Sequence, residues 1–194
     1  LSNLQYALEA LRKTSYDPSS DVWAKAQKFV TRCQNRSESN DQEWATDDGG
    51  FVYAPGQSFA GGTRSYGAMS FAGLKSLILT RADKSDPRIK SALGWIKKNY
   101  SFTHHPGMDT TSYFYYLQTA SEALAAYGET NLPDANGKPR NWTVDLATQL
   151  MTLQGKDGSW MNPNKKYWEG NATFMTGRAI IALNNILKTA SVTK

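Results

Sequence analysis

The feature that most restricts the fold is a punctuated helical periodicity. Apolar residues recur at three- and four-residue spacing in seven successive segments, and nowhere does apolar–polar alternation run long enough to seed a sheet. Leu1, Leu4, Leu8 and Leu11 fall on one face, and Trp23, Ala26, Val30 and Cys33 on the next. Between them "YDPSSD" breaks the helix at Pro18 and offers Ser20 or Asp21 as a cap for the free amides that follow. Gly67, Phe71, Leu74 and Ile78 mark a third helix; Pro87 opens a fourth that turns Ile89, Leu93 and Ile96 inward. The fifth is expected from about Thr111 to Tyr127, with Tyr113, Tyr116, Ala120 and Leu124 on one side and Gly128 as its stop. A sixth, from about Asn141 to Gln154, would bury Leu146, Leu150 and Leu153, and a seventh, from about Asn171, carries Gly177, Ile180, Leu183 and Leu187. The short "GGFVYAPG" run is too brief and too rich in glycine to found a sheet. The fold class read from the chain is all-α.

The joints between helices repeat as well. In "LQGKDGSWMNPNKKYWEGN" a run ends at Gln154, turns at Gly158 and meets Trp160; earlier, Gln34, Gly50 and Phe51 stand in the same order around the insertion "NRSESNDQEWATD". Gln154 can satisfy carbonyls left open at a helix end, Gly158 allows a sharp turn, and Trp160 can fold over the helix end while its indole N–H finds an acceptor. An amphipathic helix pair cannot bury both faces alone, so such pairs stack on their neighbours.

Gln154, Gly158 and Trp160, with the looser copy Gln34, Gly50 and Phe51, resemble the QW motif of the terpene cyclases and protein prenyltransferase β-subunits. The "DGSW…YWEGN" block is most similar to bacterial squalene cyclase- or prenyltransferase-like repeat proteins. The resemblance runs from Trp23 to Leu187, although the middle helix pair lacks the Gln, Gly and Trp staple. It implies a partial α/α toroid of about seven helices, with residues 1–194 as a single repeat domain. Seven helices are few for a closed ring, so a piece of a longer chain is a matching expectation. The chain opens at Leu1 with neither an initiator Met nor a leader pattern, which leaves export with a removed leader as another.

Composition narrows the partners. With 40% hydrophobic and 20% charged residues the chain reads as one soluble domain, and no apolar run is long enough to cross a bilayer. The formal charge of +5 is scattered rather than gathered into a stripe, which argues against nucleic acid. The single cysteine, Cys33, excludes an internal disulfide and reads as packing.

The chemistry of the resembled enzymes is hard to find. A cyclase of this kind protonates an alkene with a strong acid from a DxDD motif, and no DxDD is present. Asp47 and Asp48 read as turn residues; Asp109 is the weak catalytic candidate, though a cap for the fifth helix is its plainer role. The prenyltransferase zinc site needs an Asp-x-Cys element that is also absent. His104 and His105, with Asp109, are weak metal candidates, but adjacent loop histidines seldom converge on one ion, and the reading is of two exposed side chains with no metal or cofactor.

Tyr113, Phe114, Tyr115 and Tyr116 cover every side of one helix, so some must leave its packed face. If that helix lies on the inside of the toroid, Phe114 and Tyr115, together with Tyr66 and Trp168, would line a concave aromatic wall. Glu169 reads as a residue leading into the cap of the seventh helix at Asn171. The expected function is a noncatalytic repeat domain that binds an apolar or extended ligand, such as an isoprenoid or lipid, or a protein segment. The alternative is an isoprenoid-processing enzyme, a terpene cyclase or prenyltransferase, with part of its active site outside this chain.

Overall fold

The computed structural model describes residues 1–192 and is all-α apart from one small hairpin. Its contacts form two compact units, Leu1–Ile96 and Lys97–Lys194.

The first unit contains α1 (Ser2–Lys13), α2 (Asp21–Arg32), α3 (Gly67–Leu79) and most of α4 (Pro87–Lys98). α1 and α2 both pack on α3. They are amphipathic, so each buries only one stripe, represented by Leu8 and by Ala26 with Val30. α3 is different: every residue from Gly67 to Leu77 is buried, as expected of a helix that is apolar all round. Even Lys75 is enclosed there, and its ammonium is paired with Glu9 of α1 at 2.7 Å. The Arg12 guanidinium donates to the Leu79 carbonyl at 2.6 Å, which satisfies one of the acceptors left open at the end of α3. Ser20 caps α2 by accepting from the Val22 amide.

The long segment between α2 and α3 has almost no regular structure, and buried amides do the work of a ladder. Asn35, fully buried, donates through Nδ2 to the Thr63 carbonyl and Ser65 Oγ and accepts from the Thr46 amide. Gln34 donates to the carbonyls of Gly49 at 3.0 Å and Arg88 at 2.8 Å, which ties the end of α2 to the start of α4. Phe51 pairs with Gln34 in an isolated antiparallel bridge. Its ring lies where a side chain on Gly73 would stand, since a Cβ there would come within 2.4 Å of Phe51 Cδ1. Cys33 is free and buried, and burial pushes its thiol up to about 12.

The second unit contains α5 (Tyr113–Tyr127), β1 (Asn131–Pro133), β2 (Pro139–Asn141), α6 (Trp142–Leu153), a single 3₁₀ turn (Lys166–Trp168) and α7 (Ala172–Val192). α5 ends at Gly128 in the left-handed conformation, φ 81°. β1 and β2 pair antiparallel, with Leu132 opposite Arg140. This hairpin was not expected from the sequence: its strands are three residues long and each carries a proline. Trp142, fully buried, anchors it through an indole N–H donated to the Glu129 carbonyl at 2.9 Å. Asn141 caps α6 by accepting from the Thr143 and Val144 amides.

α5 and α7 form the main packing pair. Ala120 and Ala123 on α5 and Ala179 and Ala182 on α7 are all buried, and small side chains let two helices approach closely. Polar links join the pair, from Arg178 Nη1 to Gln118 Oε1 at 2.6 Å and from Asn185 Nδ2 to Ser121 Oγ at 3.0 Å. The buried stripe of α7 is Met175, Ala179, Ala182 and Ile186. Of the periodic residues that mark this helix in the sequence, Gly177, Ile180 and Leu187 are exposed and Leu183 is half-buried. Both stripes of α7 are apolar, and the stripe with the smaller residues is the one taken by α5. Among the described residues no helix is long and apolar enough to cross a membrane.

Candidate functional site

The most unusual backbone lies between α6 and α7. Its turn is held at Gly158, φ 82°, and Trp160 folds back so that its indole N–H donates to the Leu150 carbonyl at 2.8 Å. Gln154 Nε2 reaches the Gly158 carbonyl at 2.9 Å in an exposed turn. The two repeated joints are thus built differently. Gln34 is enclosed and bonds to two separate segments, whereas Gln154 bonds only within its own turn.

Beyond Trp160 the chain builds a cap for a different helix. The first turn of α5 has no side-chain cap of its own, because Ser112 before it is left-handed, φ 54°, and makes no capping bond. Its amides are satisfied by Glu169, only 1% exposed: Oε2 accepts from the Tyr113 amide at 2.7 Å and Oε1 from the Tyr115 amide at 2.9 Å. Asn162, also buried, donates to the same Oε2 at 2.6 Å and to the Thr110 carbonyl at 2.7 Å. A carboxylate at a helix N-terminus is favoured by both the open amides and the helix dipole. This overturns one expectation and adds to another. Asp109 does not cap the fifth helix; it is exposed, left-handed at φ 52°, and pairs through its backbone with His105. Glu169 does lead into α7, where Asn171 Oδ1 accepts from the Phe174 amide as expected of a cap, but its carboxylate serves α5.

Anchoring Glu169 forces the residues before it outward. Tyr167 and Trp168 are both left-handed, φ 56° and 66°, a conformation costly for bulky side chains. Trp168 is 79% exposed, with Met161 and Tyr167 also exposed nearby in sequence and Lys165 and Lys166 just before them. Exposed apolar side chains of α7 follow: Phe174, Ile180, Ile181 and Leu187. Of the twelve large apolar side chains exposed among the described residues, nine lie between Val144 and Leu187, so the apolar surface is concentrated in one stretch of the second unit.

The residues expected to form an aromatic wall have separate environments. Tyr66 is buried in the first unit, directly before α3. Phe114 is 1% exposed and belongs to the packed side of α5. Tyr115 is half-buried under the Arg178 guanidinium, 5.1 Å from its ring centroid, and the same guanidinium lies 4.6 Å from the Phe174 ring. Of the four, Trp168 alone is fully open to solvent.

The histidines also differ from each other. His104 is exposed, with Nδ1 3.0 Å from Ser101 Oγ. His105 was expected to be exposed and is buried: its ring stacks on Tyr116 at 4.7 Å and Nδ1 lies 2.7 Å from the Thr111 carbonyl, the geometry of an Nδ1–H donor. Burial holds its imidazole down at about 4. No group of three or more His, Cys, Asp or Glu among the described residues is arranged to hold a metal ion. Sequence reasoning missed the role of Glu169 at α5, Asn162, and the extent of the exposed band beyond Trp168. The available signal was the density of large apolar residues in "MNPNKKYWEGNATF", a stretch without the spacing to bury them.

Compared with family models, with curated proteins and with solved structures, the chain matches none.

Proposed function

We propose that this chain is a noncatalytic binding module of the squalene cyclase- and prenyltransferase-like repeat kind, built as part of an α/α toroid and joined by QW-type turns. Its partner is an apolar or extended molecule, an isoprenoid, another lipid or a protein segment. The supporting observation is the concentration of exposed apolar side chains in the second unit, with Trp168 held outward on strained backbone. Removing such side chains from water contributes roughly 25 cal/mol per Å² before ordering costs, and it needs no positioned acid or base. The wall originally expected from Tyr66, Phe114, Tyr115 and Trp168 is narrowed in this reading to Trp168, Phe174 and Ile181, because Tyr66 and Phe114 are occupied in packing.

Native mass spectrometry of freshly purified protein tests for a co-purifying lipid, and titration with farnesol followed by tryptophan fluorescence tests binding directly. Trp168→Ala and Ile181→Ser should each weaken binding and leave the melting temperature unchanged. Saturable binding unaffected by either substitution would refute the assigned surface. Turnover of squalene or farnesyl diphosphate abolished by Asp109→Asn would replace this reading with the enzyme alternative.

A further inference from the structure

A cleft of about 360 Å³ opens in the second unit. Its walls come from the loop Tyr100–Thr103, from Asp134 and Arg140 of the hairpin, and from Asp145, Thr148 and Gln149 of α6. Asp145 Oδ2 is the centre of one wall: it accepts from the Tyr100 hydroxyl at 2.9 Å and from Arg140 Nε at 3.0 Å. The Arg140 guanidinium sits 5.7 Å from the Tyr100 ring centroid, so the three side chains fix one another. Burial, and then the bond to Asp145, lifts the Tyr100 phenol well above its ordinary value, which keeps it a donor. Asp134 Oδ1 already accepts from the Asn136 and Lys138 amides. Gln149 is oriented by its amide, which donates to the Tyr113 hydroxyl at 2.9 Å.

The bonding capacity of these groups is not used up. A carboxylate offers two oxygens and a guanidinium five N–H groups, and the bonds just given engage one oxygen of Asp145 and one N–H of Arg140. Thr148 and Gln149 line the same cleft, and their side chains carry a hydroxyl and an amide carbonyl oxygen. The ligand that suits such a cleft must donate and accept within a short span. Charge selects further. An anion would meet Asp145 and Asp134, and a metal cation would meet Arg140. An apolar molecule would strip water from an ion pair and return no hydrogen bonds, which is costly. The volume lies in the range of small-ligand sites.

We propose that the cleft formed by Tyr100, Arg140, Asp145, Thr148 and Gln149 binds a neutral carbohydrate of one or two sugar rings. The ring hydroxyls donate to Asp145 and Gln149 and accept from Arg140 and Thr148. This site is independent of the apolar band assigned above, and its failure leaves that reading intact.

The test is titration of ¹⁵N-labelled full chain with glucose, N-acetylglucosamine, maltose and cellobiose, read on the Arg140 Nε–H, the Gln149 side-chain amide and the backbone amides of Ser101 to Thr103. At least one sugar should shift these signals saturably, with a millimolar dissociation constant. Thr148→Trp places a large ring into the cleft from an exposed position of α6 and should weaken binding at least about tenfold, with the circular dichroism melt retained. Arg140→Gln, read in the same way, should also weaken it. Absence of any saturable shift would overturn the proposal, as would shifts indifferent to Thr148→Trp. Stronger displacement of the same signals by sulfate or magnesium than by every sugar would also overturn it, by making this an ion site.

Discussion

Glu169→Ala removes the side chain that caps the first turn of α5, and the cost can be worked from its bonds. Three N–H donors lose their acceptor: the amides of Tyr113 and Tyr115 and Nδ2 of Asn162. A buried donor left unsatisfied costs about 1–3 kcal/mol. Asn162 keeps its bond to Thr110, and water entering the space left by the side chain can recover part of the rest. The loss of an N-cap alone is about 1 kcal/mol and the charge–dipole contribution about 0.5 kcal/mol. These effects overlap rather than add, and the expected total is about 3–5 kcal/mol, the range for removing one partner of a buried charged network. Glu169→Gln keeps the size but turns one acceptor into a donor facing N–H groups, so it should recover less than half of the loss. Asp109→Ala is the matching control, because Asp109 makes no cap; it should cost less than about 1 kcal/mol. Urea denaturation at neutral pH, with the slope compared among variants, measures all three. A Glu169→Ala loss below that of Asp109→Ala would refute the assignment of the cap.

His105 makes stability depend on pH in a definite window. Its folded value of about 4 lies below the unfolded value of about 6.5, so the unfolded chain binds the proton first as pH falls. The contribution is complete above pH ~6.5 and is lost progressively down to pH ~4, by about 3 kcal/mol, and His105→Gln should flatten that part of the urea-midpoint profile. Trp160→Ala should destabilise by about 3 kcal/mol, since the ring is buried and its N–H is bonded to the Leu150 carbonyl. An unchanged melting temperature would show that this ring does not clamp the end of α6.

The helices were legible because each carries its own punctuation. Pro87 begins α4, Asn141 and Ser20 cap α6 and α2, and Gly128 ends α5, all within a few residues of the element they define. Legibility failed where the deciding partner is distant or where two answers are chemically alike. The cap of α5 comes from a residue more than fifty positions downstream, so the local signal at Asp109 pointed to the wrong side chain. α7 offers two apolar stripes, and periodicity cannot rank them; close packing chose the stripe of Ala179 and Ala182 over that of Ile180 and Leu187. His105 looked like loop polarity until Tyr116 supplied a ring to stack on. Of the candidate site, Trp168 was identifiable as one residue of an aromatic wall, but its left-handed backbone was not.

The enclosure of α3 sets how this chain can change over time. Along α1 and α2 substitutions can accumulate on the wet side and skip the dry one, which would leave a wave of tolerance with a period near 3.6 residues. From Gly67 to Leu77 there is no wet side. Gly73 is fixed by the Phe51 ring, Ser70 by its hydroxyl oxygen, which accepts from the Phe51 amide, and Lys75 by Glu9. A saturation library read by solubility would therefore show these eleven consecutive positions as one unbroken block. Variation inside the block would be confined to paired exchanges, such as a larger residue at position 73 accompanied by a smaller one at 51.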